Sequence, residues 1–127
     1  MSSKDDDGLK EFDVPTPLPT YFRFLTLMAF HVFMSEKVDA AVLEVGIGGS
    51  YDATNVIERP AVTGITSIGI DHQALLGNTR AEIAQHKSGI MKPGVAALSV
   101  EQLDDAAQVV AQRATELKVR CLCLFTL

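Results

Sequence analysis

Four short, largely apolar runs, at 38–45, 61–70, 95–100 and 119–125, punctuate this chain, and the segments around three of them carry helical spacing. The first run is too short for an ordinary helix and rich in valine, and it reads as a strand buried on both faces. Strands that alternate with helices join through right-handed crossovers into a parallel sheet with flanking helices, so the expected class is α/β. Residues 21–36 place Phe24, Leu27, Met28, His31 and Val32 at i, i+3, i+4, i+7 and i+8 behind Thr20 as a candidate N-cap, which predicts a buried helix. Asn78 or Thr79 can cap a second helix reaching about Met91, where Pro93 and Gly94 stop it. Residues 101–118 form an alanine-rich third. Ahead of all this, residues 1–20 combine clustered aspartates with Pro15, Pro17 and Pro19 and read as a disordered acidic lead-in stiffened by proline. Residues 21–127 read as one unit without internal repeats.

A chain of 127 residues with 47% hydrophobic and 21% charged residues can close one core. Its formal net charge of −5 would repel a polyphosphate backbone, which argues against nucleic acid as a partner. The longest apolar stretch, 21–34, holds Arg23 and His31 and falls short of the ~20 residues of a membrane span. The acidic N-terminus fits neither a secretory nor a mitochondrial leader, and two cysteines are too few for a disulfide framework, so a reducing, cytoplasmic setting is expected. Cys121 and Cys123 share one face of the last strand by its two-residue period. No second C-x-C or paired His supports zinc, and a buried strand accounts for both thiols.

Ligands of open parallel sheets bind beyond the carboxyl ends of the strands, so the chemistry is sought in the residues that follow each run. Glu44 ends the first among apolar neighbours, where a carboxylate is costly unless it is paired or holds a hard cation such as Mg²⁺. The glycines that follow, Gly46, Gly48 and Gly49, suggest a dinucleotide loop, but Tyr51 stands where G-x-G-x-x-G requires glycine; a tight strand exit with positive φ also explains them. Asp71 and His72 end the second run, and His72 has either a structural role or a ring nitrogen for a metal or phosphate. Lys87 falls in the last turns of a helix, a position that the macrodipole alone favours for lysine. No G-x-x-x-x-G-K-[ST] occurs, so no loop of this chain alone cradles ATP phosphates.

Three blocks in order make the chain recognisable: Leu43-Glu44-Val45-Gly46-Ile47-Gly48-Gly49 with Asp52-Ala53-Thr54-Asn55; Thr66-Ser67-Ile68-Gly69-Ile70-Asp71-His72 with Leu76-Gly77-Asn78-Thr79; and Ile83-Ala84 with Lys87-Ser88-Gly89-Ile90 and Lys92-Pro93-Gly94. They resemble the central ATPase domain of folylpolyglutamate synthases, in the Mur ligase superfamily, and Tyr21-Phe22-Arg23-Phe24 with Gly49-Ser50-Tyr51-Asp52 resembles its eukaryotic branch. The resemblance implies an ATP-dependent ligase of one-carbon metabolism that adds L-glutamate to the γ-carboxylate of reduced folates through an acyl phosphate. It implies Mg²⁺ held by Glu44 and His72, a carbamylated Lys87, nucleotide contacts from Gly46, Gly48, Gly49 and Asn55, and room for a monovalent cation. A whole member also carries an upstream P-loop and a C-terminal glutamate-ligase domain, which these residues do not match. The expectation is therefore an internal fragment, a shortened splice product or an incomplete gene model, inactive alone, whose parent is cytoplasmic or mitochondrial. Two alternatives stand beside it: a non-catalytic piece that docks on the full-length ligase through an open sheet edge, and a fragment of a dihydrofolate synthase.

Overall fold

A computed structural model describes residues 18–124; the lead-in expected over 1–20, all but its last three residues, and the end of the last run, at Phe125, lie outside the described residues. In chain order the elements are α1 (Tyr21–Glu36), a 3₁₀ turn (Ala53–Val56), β1 (Thr63–Ile65), α2 (Gln73–Leu76), α3 (Arg80–Ser88), β2 (Ala97–Val100), α4 (Asp104–Glu116) and β3 (Cys121–Leu124). The sheet has the order β1-β2-β3 and both pairings are parallel. Thr63 is in register with Ala97 and Cys121, and Ile65 with Ser99 and Cys123. The α/β class and three of the four expected strands are thus present.

Each strand is shorter than its apolar run, and at β1 the reason is visible. The ladder ends at Ile65, after which Gln102 takes over the strand's hydrogen bonds: its amide donates to the Thr66 carbonyl at 2.9 Å and its oxygen accepts from the Ile68 N–H at 3.0 Å. A side chain has replaced a neighbouring strand, so the backbone is satisfied while regular pairing stops.

The first run behaves differently from the expectation. Residues 38–45 form no strand; Val42 is 97% exposed and Glu44 is exposed as well. Valine-rich sequence favours a strand only where a sheet neighbour takes its hydrogen bonds and covers its side chains, and no such neighbour lies among the described residues. A second correction concerns α1. Its helix spans the expected residues, yet none of them is buried, and Leu27 is 62% exposed. Its main partner among the elements is the 3₁₀ turn, which is too small to cover a helix apolar on more than one side. Thr20 holds the N-cap position without a side-chain cap; its carbonyl accepts from the Phe24 N–H at 2.9 Å. At the other end Lys37 turns left-handed, φ 53°, and the Lys37 and Val38 N–H groups donate to Met34 and Phe33, a Schellman-type close.

α3 starts where the sequence places it. The Thr79 hydroxyl accepts from the Glu82 N–H at 3.2 Å while the Glu82 carboxylate accepts from the Thr79 N–H at 2.9 Å, a complete capping box. The helix stops at Ser88, short of Met91, because the chain turns at Gly89 and Ile90, and the Gly89 carbonyl accepts from Asn55 Nδ2 at 3.3 Å. α4 occupies 104–116 of the expected 101–118 and opens with Asp104 and Asp105, whose charges suit a helix N-terminus. Arg80 at the start of α3 donates through Nε to both Asp105 oxygens, at 3.1 and 3.2 Å, and ties the two helix starts together.

The core lies between one face of the sheet and these two helices. It joins Ile65 and Ala97 to Leu76 of α2, Ile83 and Ala84 of α3, Ala106, Val110 and Ala114 of α4, and Ile68 and Met91 from the connections. Ala84, Ala106 and Ala114 are small enough to let α3 and α4 pack closely on each other. The opposite face carries Gly64, Leu98 and the exposed Leu122.

Candidate functional site

Asp52 organises the glycine loop. Its Oδ2 accepts from the Gly46 and Ile47 N–H groups at 3.1 and 3.0 Å, and its Oδ1 accepts from the Thr54 N–H at 2.9 Å and the Thr54 hydroxyl at 2.6 Å. This is an Asx turn that caps the 3₁₀ turn and folds the preceding loop over it. Partial burial pushes the Asp52 carboxyl up, but the Thr54 hydroxyl and the three N–H donors together outweigh it and hold the group below the usual aspartate range.

The loop is fastened to the C-terminal end of α3, where helix carbonyls lack helical partners. The Ser50 N–H donates to the His86 carbonyl at 2.9 Å, and the Ser50 hydroxyl to the same oxygen at 3.2 Å. Asn55 Nδ2 donates to Ser50 and Gly89 carbonyls, and Lys92 Nζ reaches the Asn55 carbonyl at 3.3 Å. Such closeness needs glycine at two points. Gly48 is left-handed at φ 72°, and a Cβ at Gly49 would stand 2.6 Å from the His86 carbonyl oxygen.

Between this loop, the start of α1 and the end of α2 lies a cavity of about 320 Å³. Phe22, Ile47, Leu75 and Leu76 give it apolar walls, and Arg23, Asp52 and His86 give it polar ones. Tyr51 also lines it, with its ring edge-on to His86 at 6.1 Å between centroids.

The candidate residues from the sequence divide around this cavity. Gly48 and Gly49 line it. The Gly46 amide is committed to Asp52, and the Asn55 side-chain amide to Ser50 and Gly89, so both brace the loop. Lys87 stands half-buried in the last turn of α3, with its backbone carbonyl against Gly49. Glu44 is exposed ahead of the loop rather than buried in a strand. His72 occupies the N-cap of α2 in a left-handed conformation, φ 50°, uncommon for a residue with a side chain. Its ring Nε2 is 3.6 Å from Asp71 Oδ2, and the side chain is 43% exposed. Glu44, His72 and Lys87 do not line the cavity, and no group of three His, Cys, Asp or Glu able to hold a metal occurs among the described residues.

Three residues matter that the sequence reading gave no individual role. Asp52 had a signal, an aspartate two positions before a threonine at the end of a glycine loop. His86 contributes mainly its backbone carbonyl, which no sequence pattern marks. Gln102 contacts the 66–68 segment across 34 and 36 positions of sequence, and local spacing carries no trace of that.

No family model matches the chain. It is 61% identical over 100 residues to the mitochondrial folylpolyglutamate synthase of Bos taurus, covering 79% of this chain and 17% of that one. To a folylpolyglutamate synthase of Arabidopsis thaliana it is 53% identical over 103 residues, 81% of this chain and 18% of the relative. Among solved structures, apo folylpolyglutamate synthase of L. casei superposes with a TM-score of 0.77 at 43% identity, over 80% of this chain and 25% of that one. A complex of a folylpolyglutamate synthase with AMPPCP and folate gives 0.76 at 44% identity, over 79% of this chain and 24% of that one. The chain spans less than a fifth of the length of these curated relatives. By sequence and by fold, the chain is homologous over most of its own length to a segment of the folylpolyglutamate synthases.

Proposed function

We propose that this chain supplies part of the substrate site of a folylpolyglutamate synthase, which adds L-glutamate to the γ-carboxylate of a reduced folate at the expense of ATP. The observation that carries the reading is the cavity beside the glycine loop, in a segment homologous to proteins of that name, one of them solved with AMPPCP and folate. Phe22, Leu75 and Leu76 offer apolar contact to a heteroaromatic ring, and Arg23 and His86 stand beside them as polar lining groups. Arg23 lines the same cavity as Asp52, so it is the apolar contacts, not a net charge, that favour a ring there. The cavity therefore suits the ring system of the folate, and the nucleotide belongs at the strand-exit residues outside it.

On this reading Gly46, Gly48, Gly49 and Asn55 shape the loop that separates the two substrates. Glu44 and His72 are the residues that would hold Mg²⁺. Their donor set fits that ion in part: the exposed Glu44 carboxylate is the hard oxygen donor Mg²⁺ takes, whereas the His72 ring nitrogen would serve it through a bound water or a phosphate. When bound, Mg²⁺ supplies charge neutralisation between two anionic reactants, the folate carboxylate and the γ-phosphate. Lys87, as a carbamate, would add a carboxylate on the helix end to which the glycine loop is fastened. The folate γ-carboxylate takes the phosphoryl group, and the amine of glutamate then displaces phosphate from the acyl phosphate to leave the new amide.

The test uses the full-length protein that contains this segment, with labelled L-glutamate, tetrahydrofolate and ATP. Glu44→Gln should raise the Mg²⁺ concentration required, and Lys87→Arg should lower the rate about 10- to 100-fold. Unchanged rates for both variants at limiting Mg²⁺ would remove these residues from the site. Incorporation with dihydropteroate but not with tetrahydrofolate would assign the segment to a dihydrofolate synthase instead.

A further inference from the structure

Cys121 and Cys123 lie two positions apart on β3, so the pleat sends both side chains to one face. Both thiols are free, Cys121 half-buried against the core and Cys123 exposed, which departs from the expectation of a buried pair. Their in-register neighbours on β2 are Ala97 and Ser99, so no bulky side chain stands beside either sulfur in the sheet. β3 is an edge strand of the three-stranded sheet, paired with β2 on one side only among the described residues.

The spacing selects what can join the two sulfurs. Two steps along a strand separate Cα atoms by about 6.6–6.8 Å, the upper end of what a disulfide spans without distortion. A single atom inserted between the sulfurs lengthens the bridge and relieves that limit. Burial, and then the neighbouring Cys123, push the Cys121 thiol up, which keeps it protonated and slow in thiolate chemistry. Condensation of a thiol with an arsenic oxide consumes the S–H proton and does not require a resident thiolate.

We propose that the Cys121 and Cys123 pair is a binding site for trivalent arsenicals, with arsenic bridging the two sulfurs on one face of β3. Two As–S bonds form, the arsenic–oxygen bond breaks, and the oxide oxygen leaves as water with the two thiol protons. No oxidation state changes. The site is separate from the folate cavity and stands independently of the ligase reading.

The probe is phenylarsine oxide, added to the full chain and followed by intact mass and thiol titration, then challenged with excess 2-mercaptoethanol or with a 1,2-dithiol. The expected result is one arsenical per chain, loss of both titratable thiols, resistance to the monothiol and release by the dithiol. Cys121→Ser and Cys123→Ser should each leave an adduct that the monothiol strips. The same challenge in urea, where the strand no longer holds the thiols on one face, should strip the wild-type adduct faster. Two arsenicals per chain, a remaining free thiol, or a wild-type adduct lost to the monothiol would overturn the proposal, and these outcomes decide it even if neither serine variant folds. Equal retention in urea and in native buffer would overturn the part assigned to the strand.

Discussion

At the scale of single residues, Asp52 holds more of the site together than any of the side chains first singled out for chemistry. It takes four hydrogen bonds from three residues and thereby fixes the turn between residues 46 and 54. Asp52→Ala should cost about 1–2 kcal/mol, in the range of a lost cap, and should release the loop from its folded form. Because the folded carboxyl lies below its ordinary value of 3.8, its contribution is fully present above that pH and is lost as pH falls through the folded value. Urea midpoints measured from pH 7 down to pH 3 should therefore fall more steeply for the wild type than for Asp52→Ala; parallel curves would contradict the assignment. The motif reading found the glycines around this residue because glycine marks tight turns directly. It gave Gly46 and Asn55 a ligand role that the hydrogen bonds now share with loop bracing, and only three-dimensional placement reveals such partners. The same holds for Glu44, whose apolar sequence neighbours suggested burial while the folded chain leaves it exposed.

At the scale of elements, local signals were read well where their cause is local. Thr79 and Glu82 satisfy each other's backbone within one turn, so α3 begins where the sequence places it. Thr79→Ala should cost about 1 kcal/mol, measured by chemical denaturation, and the effect should vanish if the helix start is held instead by the Arg80 and Asp105 pair. That pair keeps Asp105 low chiefly through its hydrogen bond with Arg80, and both groups are substantially exposed, so its share of stability is small. Where the cause is distant, the reading failed or fell short. The run 38–45 has the composition of a strand but no partner among the described residues, and α1 has the periodicity of a buried helix with no buried residue. Hydrophobic pattern specifies which faces want cover; it does not supply the cover. β1 ended early for a related reason, since Gln102 competes for backbone that its apolar sequence would assign to a longer strand.

At the scale of the whole molecule, one sheet face closed by α3 and α4 forms a core, and the glycine loop hangs from the end of α3 beside a cavity with apolar and polar walls. The class of fold was legible because parallel strands alternating with helices leave a plain signature, and the family was legible because three blocks occur in the right order. The separation of the cavity from Glu44, His72 and Lys87, which do not line it, was not, since it depends on which residues the fold brings to the same wall. The proposed function requires that this chain can stand in for the homologous segment of a folylpolyglutamate synthase. The direct measurement replaces that segment of the Bos taurus protein, 61% identical over 100 residues, with the matching residues of this chain and follows ATP-dependent transfer of labelled glutamate to tetrahydrofolate. The account predicts a folded chimera that ligates glutamate and loses that activity on Glu44→Gln; a folded chimera with no ATP-dependent ligation would contradict it.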